Sequence, residues 1–125
     1  MGQAIMPAKI LLVEDEALIC ELVSDVLTDQ GFSVHAVDTA DAALHYLQAG
    51  GEADILFTDI NLPGKIDGIE LAMQARGLRP ELPIVYASGR LRASDLTPVS
   101  RSIFLPKPYD PVDVGTLFSR LAPVH

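Results

Sequence analysis

Short apolar runs alternate with amphipathic stretches along most of this chain. Lys9–Val13 (KILLV) is a continuous apolar run, the pattern of a parallel strand buried on both faces. Ile19, Leu22, Val23, Val26 and Leu27 then recur at i, i+3, i+4, i+7 and i+8, which predicts a helix facing a core. Gly31 closes that helix at its C′ position. Leu18 either widens the core contact or faces a partner. Ser33–Val37 (SVHAV) alternates between turn residues and reads as an edge strand. Thr39 caps a second helix through Ala42, Ala43, Leu44 and Leu47, stopped by Gly50-Gly51. Asp54–Thr58 predicts a third strand ending at Asp59, and Ile69, Leu71, Ala72 and Ala75 a third helix. Pro83–Ala87 (PIVYA) predicts a fourth strand, ending at Ser88-Gly89. The stretch 90–102 carries Leu91, Leu96 and Val99 but also Pro98, so only a short or irregular fourth helix is expected there. Ile103–Leu105 is a fifth strand. Asp110-Pro111, with Asp113 following, opens a last helix whose inner stripe is Val114, Leu117, Phe118 and Leu121.

The order is (βα)5, which requires right-handed crossovers and helices on both faces of a parallel sheet. A chain of 125 residues has room for one domain with a real core, assigned to 9–122 with tails at 1–8 and 123–125. A hydrophobic share of 49% against 21% charged residues excludes a disordered chain. The net charge of −8 repels phosphate backbones and argues against nucleic-acid binding; part of the acid suits a cation site. Cys20 is alone, cannot form an internal disulfide and reads as a small packing residue, and no Cys/His cluster has zinc spacing. The first eight residues lack the basic and apolar regions of a signal peptide. No apolar run approaches the roughly 18 residues of a membrane span, so a cytoplasmic protein without membrane contact is expected.

The strand ends carry the chemistry. In an open α/β sheet, ligands collect beyond the carboxyl ends of the strands. Glu14 and Asp15 follow the first strand, Asp59 the third, Ser88 the fourth and Lys107 the fifth. Singly, each has an ordinary reading: an Asp after a strand forms turns or caps, a Ser caps a helix, a Lys is solvated. Together they bring three carboxylates, a hydroxyl and an ammonium to one sheet edge. Carboxylates so close repel unless a cation neutralises them, and a hard divalent ion such as Mg²⁺ suits oxygen ligands. Lys107 and Ser88 then suit an anionic group delivered to the site, and a phosphoryl group on or near Asp59 accounts for all five residues.

An acidic pair after ILLV, LFTDINLPG around a strand-end Asp, a Ser after the fourth strand and FLPKP after the fifth resemble the receiver domains of two-component response regulators. The likeness runs from Lys9 to Leu121, and the four features in order make it specific. It implies a flavodoxin-like, doubly wound (βα)5 sandwich with strand order 2-1-3-4-5. It implies Asp59 as phosphoacceptor, with Lys107 pairing the phosphoryl oxygens and Ser88 moving toward them. Mg²⁺ (or Mn²⁺) would be held by Asp15 directly, Glu14 mostly through water, Asp59 and the Asn61 backbone carbonyl. Phe104, three residues before the lysine, would be a rotamer switch beside plain core packing as its other reading, and the Lys107–Pro108 bond would be cis. A histidine kinase or phosphotransfer protein would supply the phosphoryl group. The product would act as a monomer or weak dimer on a downstream protein, without enzymatic turnover beyond self-phosphorylation and slow self-dephosphorylation.

Two departures from the usual receiver pattern stand out. The turn Pro63–Gly68 is one residue longer, and Ser88 to Lys107 is a few residues shorter, consistent with a curtailed fourth helix. The shortened segment, with YASGR matching in part, is similar to alphaproteobacterial-type stand-alone receivers. Arg90, two residues after Ser88, stands where the family tunes hydrolysis. Only Ala122–His125 follow Leu121, so protein contact is the expected output, either as a single-domain regulator or as the shuttle or sink of a phosphorelay or hybrid kinase. A degenerate receiver acting as a constitutive binding module is a further alternative. A flavodoxin-like cofactor binder is less favoured, because Glu14-Asp15 stands where a flavin phosphate would need a Gly- or Ser/Thr-rich loop. An aspartyl-phosphate phosphatase is disfavoured by Asn61, where such enzymes carry a second Asp.

Overall fold

A computed structural model describes residues 7–91 and 99–122. In chain order the elements are β1 (Lys9–Val13), α1 (Ala17–Asp29), β2 (Ser33–Val37), α2 (Ala40–Gln48), β3 (Ile55–Asp59), α3 (Gly68–Leu78), β4 (Ile84–Ser88), β5 (Ser102–Pro106) and α4 (Pro111–Leu121). The strands form one parallel sheet, ordered β2-β1-β3-β4-β5. The short fourth helix expected within 90–102 falls largely on 92–98, outside the described residues.

The continuous apolar strands work because both faces are covered. Leu11 and Val13 of β1 join Leu56 and Ile84 in one cluster, closed by Ala43 and Leu47 of α2 and Leu71, Ala72 and Ala75 of α3. Ile10 and Leu12 point the other way, joining Ile55, Phe57 and Val85 under Val23 and Leu27 of α1 and Val114 and Phe118 of α4. Each large side chain so buried contributes roughly 1.5–3 kcal/mol of transfer free energy, which makes the three central strands the rigid base of the crevice. β2 lies at an edge, as its sequence predicts, but its burial does not alternate: His35 and Ala36 are both exposed, while Val34 and Val37 are partly buried against opposite clusters.

Local signals set the helix ends. Thr39 Oγ1 accepts from Ala42 N–H at 3.0 Å, and Asp110 Oδ1 accepts from Val112 N–H at 2.9 Å. Gly31 has φ +99° and Gly50 φ +87°, the left-handed conformation that glycine adopts without strain. The amide of Phe32 returns to Leu27 O and that of Gly31 to Thr28 O, which satisfies the last carbonyls of α1. Arg76 of α3 ties the far end of the β4–β5 connection. Its guanidinium donates to Ser100 O (2.6 and 3.1 Å), Arg101 O, Arg79 O and Pro80 O.

Three expectations are corrected. β3 and β4 each begin and end one residue later than predicted, so Asp59 and Ser88 are the last residues of their strands, and β5 is one residue longer at each end than predicted. Asp54 braces β1 instead, its carboxylate accepting from Lys9 N–H at 2.8 Å. Leu22 is 56% exposed and Leu18 83%, so neither belongs to the core. Successive helical residues turn by about 100°, and the inner stripe of α1 narrows to Ile19, Val23, Val26 and Leu27.

Candidate metal and phosphoryl site

β1 and β3 are neighbours at the centre of the sheet, and the chain leaves their carboxyl ends in opposite directions, to β2 on one side and β4 on the other. That divergence opens a crevice over the sheet edge. Glu14 follows β1, Asp59 ends β3, and Lys107 follows β5; Glu14 is 3% exposed and Asp59 6%.

Asp59 is held through its backbone. Thr58 Oγ1 donates to Asp59 O at 2.8 Å, and the next amide, Ile60 N–H, donates to Ala87 O at 2.9 Å. Gly68 N–H donates to Ile60 O at 2.9 Å, bringing the start of α3 against the strand end. A Cβ on Gly68 would run into the Asp59 carbonyl oxygen, so only glycine fits there. Asp67 N-caps α3, accepting from Ile69 and Glu70 N–H, both at 3.0 Å.

Lys107 joins the two buried acids. Its Nζ lies 3.1 Å from Asp59 Oδ2 and 3.1 Å from Glu14 Oε1, and its own N–H donates to Ser88 O at 2.9 Å. The other Glu14 oxygen accepts from Glu16 N–H at 3.2 Å. Burial pushes the Glu14 carboxyl above its ordinary pKa, Asp59 adds to this, and the Glu16 amide and Lys107 oppose it. Burial pulls the Lys107 ammonium down, but its hydrogen bonds to Asp59 and Glu14 outweigh that and hold it above the usual lysine value.

The carboxylates fit a divalent cation. One oxygen each from Glu14, Asp15 and Asp59 lies within 4.8 Å of the others. Asp59 Oδ1 is buried and has no hydrogen-bond partner among the described residues, an expensive state for a carboxylate oxygen unless a cation meets it. Three carboxylates and one ammonium sum to −2, the charge a divalent ion neutralises. An all-oxygen donor set suits Mg²⁺ or Mn²⁺ and not a thiolate-seeking metal.

Of the residues singled out in the sequence, Glu14, Asp15, Asp59 and Lys107 come together, and Asp15 is exposed at the mouth. Ser88 and Asn61 meet each other: Ser88 Oγ donates to Asn61 Oδ1 at 2.9 Å. Phe104 lies on β5, partly buried against the cluster that contains Tyr86, Leu91 and Val99. The Lys107–Pro108 peptide bond is cis.

Three participants were not apparent from the sequence. Tyr109 packs on Phe57 with ring centroids 5.5 Å apart, and burial, then Glu14 and Asp59, push its phenol well above the ordinary value. The contact of the Asn61 side chain with Ser88 is the second, beyond the backbone carbonyl and the missing second Asp that the sequence points to. Gly68 is the third; a glycine at the first helical position, where it favours nothing, was its signal.

The sequence profile of the response regulator receiver domain matches residues 10–117. Among curated proteins, the nitrogen assimilation regulatory protein NtrX of Azorhizobium caulinodans is 39% identical over 85 residues, 67% of this chain and 18% of that protein. Response regulator protein FleR of Pseudomonas aeruginosa is 37% identical over 108 residues, 84% of this chain and 22% of that one. The chain thus spans about a fifth of the length of these two relatives. Among solved structures, a response regulator receiver protein from Sinorhizobium medicae superposes with a TM-score of 0.85 at 37% identity, covering 92% of this chain and 94% of that one. The receiver domain of the hybrid histidine kinase CckA gives 0.79 at 29%, covering 91% and 98%. Family profile, fold and clustered acids agree: the chain belongs to the response regulator receiver domains of two-component signalling.

Proposed function

We propose that this chain accepts a phosphoryl group on Asp59 from a histidine kinase or phosphotransfer protein, in a Mg²⁺-dependent reaction, and signals by phosphorylation-dependent contact with another protein. Receiver domains are signalling modules that interact with such donors. The observation that carries the reading is the unpartnered, buried Asp59 Oδ1 beside a lysine that already holds the other oxygen.

A bound Mg²⁺, held by Glu14, Asp15, Asp59 and the Asn61 carbonyl, would supply charge neutralisation for the transferring group. An Asp59 oxygen attacks the donor phosphorus as the P–N bond to the donor imidazole breaks and the imidazole leaves with its electron pair. Phosphoryl transfer needs positioning and charge neutralisation more than covalent chemistry from the protein. Lys107, within 3.1 Å of Asp59, is placed to follow the developing charge on the phosphoryl oxygens. The Ser88 hydroxyl engages the group afterwards, and Phe104 acts as the rotamer switch. Asn61 offers no carboxyl for rapid hydrolysis, which supports slow turnover and a switch rather than a phosphatase. A single-domain regulator in the cytoplasm, acting as a monomer or weak dimer, is the form this reading takes. Among the described residues no helix is long and apolar enough to cross a membrane.

Incubation with Mg²⁺ and acetyl phosphate, followed by intact mass measurement, tests the reading. One labile phosphoryl adduct is expected, absent without Mg²⁺ and absent in Asp59→Ala. An adduct of equal yield in that variant would move the acceptor elsewhere.

A further inference from the structure

We propose that the Asn61 side chain is a latch on Ser88, one that must open before the Ser88 hydroxyl can engage a phosphoryl group on Asp59; this rests on the phosphoacceptor reading above. Ser88 is 1% exposed, and its hydroxyl is fully committed. It accepts from the backbone N–H of Arg90 and of Leu91, both at 3.1 Å, and donates to Asn61 Oδ1 at 2.9 Å. A hydroxyl has one proton and two lone pairs. With N–H donors on both lone pairs, the proton must point at Asn61, which also fixes the oxygen end of that amide.

The consequence is a competition for one proton. A phosphoryl oxygen only accepts, so Ser88 can bind it only by withdrawing its proton from Asn61. Asn61 stands two residues after Asp59, in the loop that leaves β3, and is itself exposed. Its side chain therefore acts through Ser88, as a positioning residue. It links three pieces of chain: the loop after β3, the end of β4, and the start of the β4–β5 connection through the Arg90 and Leu91 amides. Breaking one such neutral hydrogen bond opposes engagement by about three- to tenfold in the equilibrium.

The test compares Asn61→Leu, Asn61→Asp, Ser88→Ala and the double variant Asn61→Leu/Ser88→Ala. Affinity for beryllofluoride, a phosphoryl mimic, is measured with Mg²⁺, and amide hydrogen exchange at Arg90 and Leu91 is measured without either. Asn61→Leu is expected to bind beryllofluoride about three- to tenfold more tightly, the worth of one hydrogen bond, and to gain nothing once Ser88 is Ala. In the unliganded protein it should exchange the Arg90 and Leu91 amides faster. Asn61→Asp, which restores an acceptor, should return them toward the parent rate. An unchanged or weaker affinity in Asn61→Leu, or a gain that persists without the Ser88 hydroxyl, overturns the latch. If the parent binds beryllofluoride no better than Asp59→Ala, it is the phosphoacceptor reading that fails. The exchange rates then decide the latch alone, and unaltered protection in Asn61→Leu sinks it.

Discussion

Asp59 owes its position as much to what a neighbour lacks as to what its partners carry. A Cβ on Gly68 would collide with the Asp59 carbonyl oxygen and approach Ile60 Cα to 2.9 Å, both rigid backbone. Gly68→Ala must therefore push α3 off the end of β3. We expect a loss of about 1–3 kcal/mol in a urea melt, the usual range for overpacking, together with slower loading from acetyl phosphate. An unchanged midpoint would mean that α3 tolerates the shift. At this scale the sequence was informative wherever chemistry follows from strand ends alone. Glu14, Asp15, Asp59 and Lys107 could be gathered because consecutive parallel strands all deliver their last residues to one edge. The Asn61–Ser88 bond and the Tyr109–Phe57 contact could not, since each depends on how a side chain turns after the backbone is set.

Among the elements, periodicity located every described strand and helix, and turn chemistry located most of their ends. Gly31, Thr39, Gly50 and Asp110 end or begin helices for reasons contained within a few residues. The errors arose where tertiary pairing decides. β3 and β4 end one residue later than predicted because ladder partners continue, Asp59 opposite Ala87 and Ser88 opposite Pro106. Leu22 fitted a helical stripe but lies past the edge of what the sheet can cover. The start of β1 is tied to the turn before β3 by Lys9 Nζ and Glu52 Oε2, 2.6 Å apart. The hydrogen bond from Lys9, then its charge, lowers the Glu52 pKa below the ordinary 4.5. For a depressed carboxylate the sign is fixed: its contribution is present above 4.5 and is lost as pH falls through the lowered value. Carboxyl NMR titration should show Glu52 returning to the ordinary range in Lys9→Met, with the acid-side change in stability at this site abolished. Because Glu52 is solvent-exposed and Lys9 partly so, the effect on melting is expected to be small.

For the whole molecule, the decisive quantity is uncompensated charge. The chain carries −8 overall, and its crevice holds three carboxylates against one ammonium. Removing a carboxylate relieves repulsion, whereas a divalent ion relieves it while gaining ligands. Thermal melts should therefore rise with Mg²⁺, by about 2.7 kcal/mol of stabilisation at a hundredfold excess over Kd. Asp15→Asn should melt a few degrees above the parent without metal and respond less to Mg²⁺. A variant that melts lower without metal, or responds equally, would place the ion elsewhere. The same architecture treats the two ends of the β4–β5 connection unequally. At its far end, the Arg76 guanidinium grips the carbonyls of Ser100 and Arg101; at its near end, the amides of Arg90 and Leu91 rest on a single hydroxyl. A charged side chain thus holds the described residues at the far end, whereas those at the near end share the one hydroxyl that also reaches Asn61.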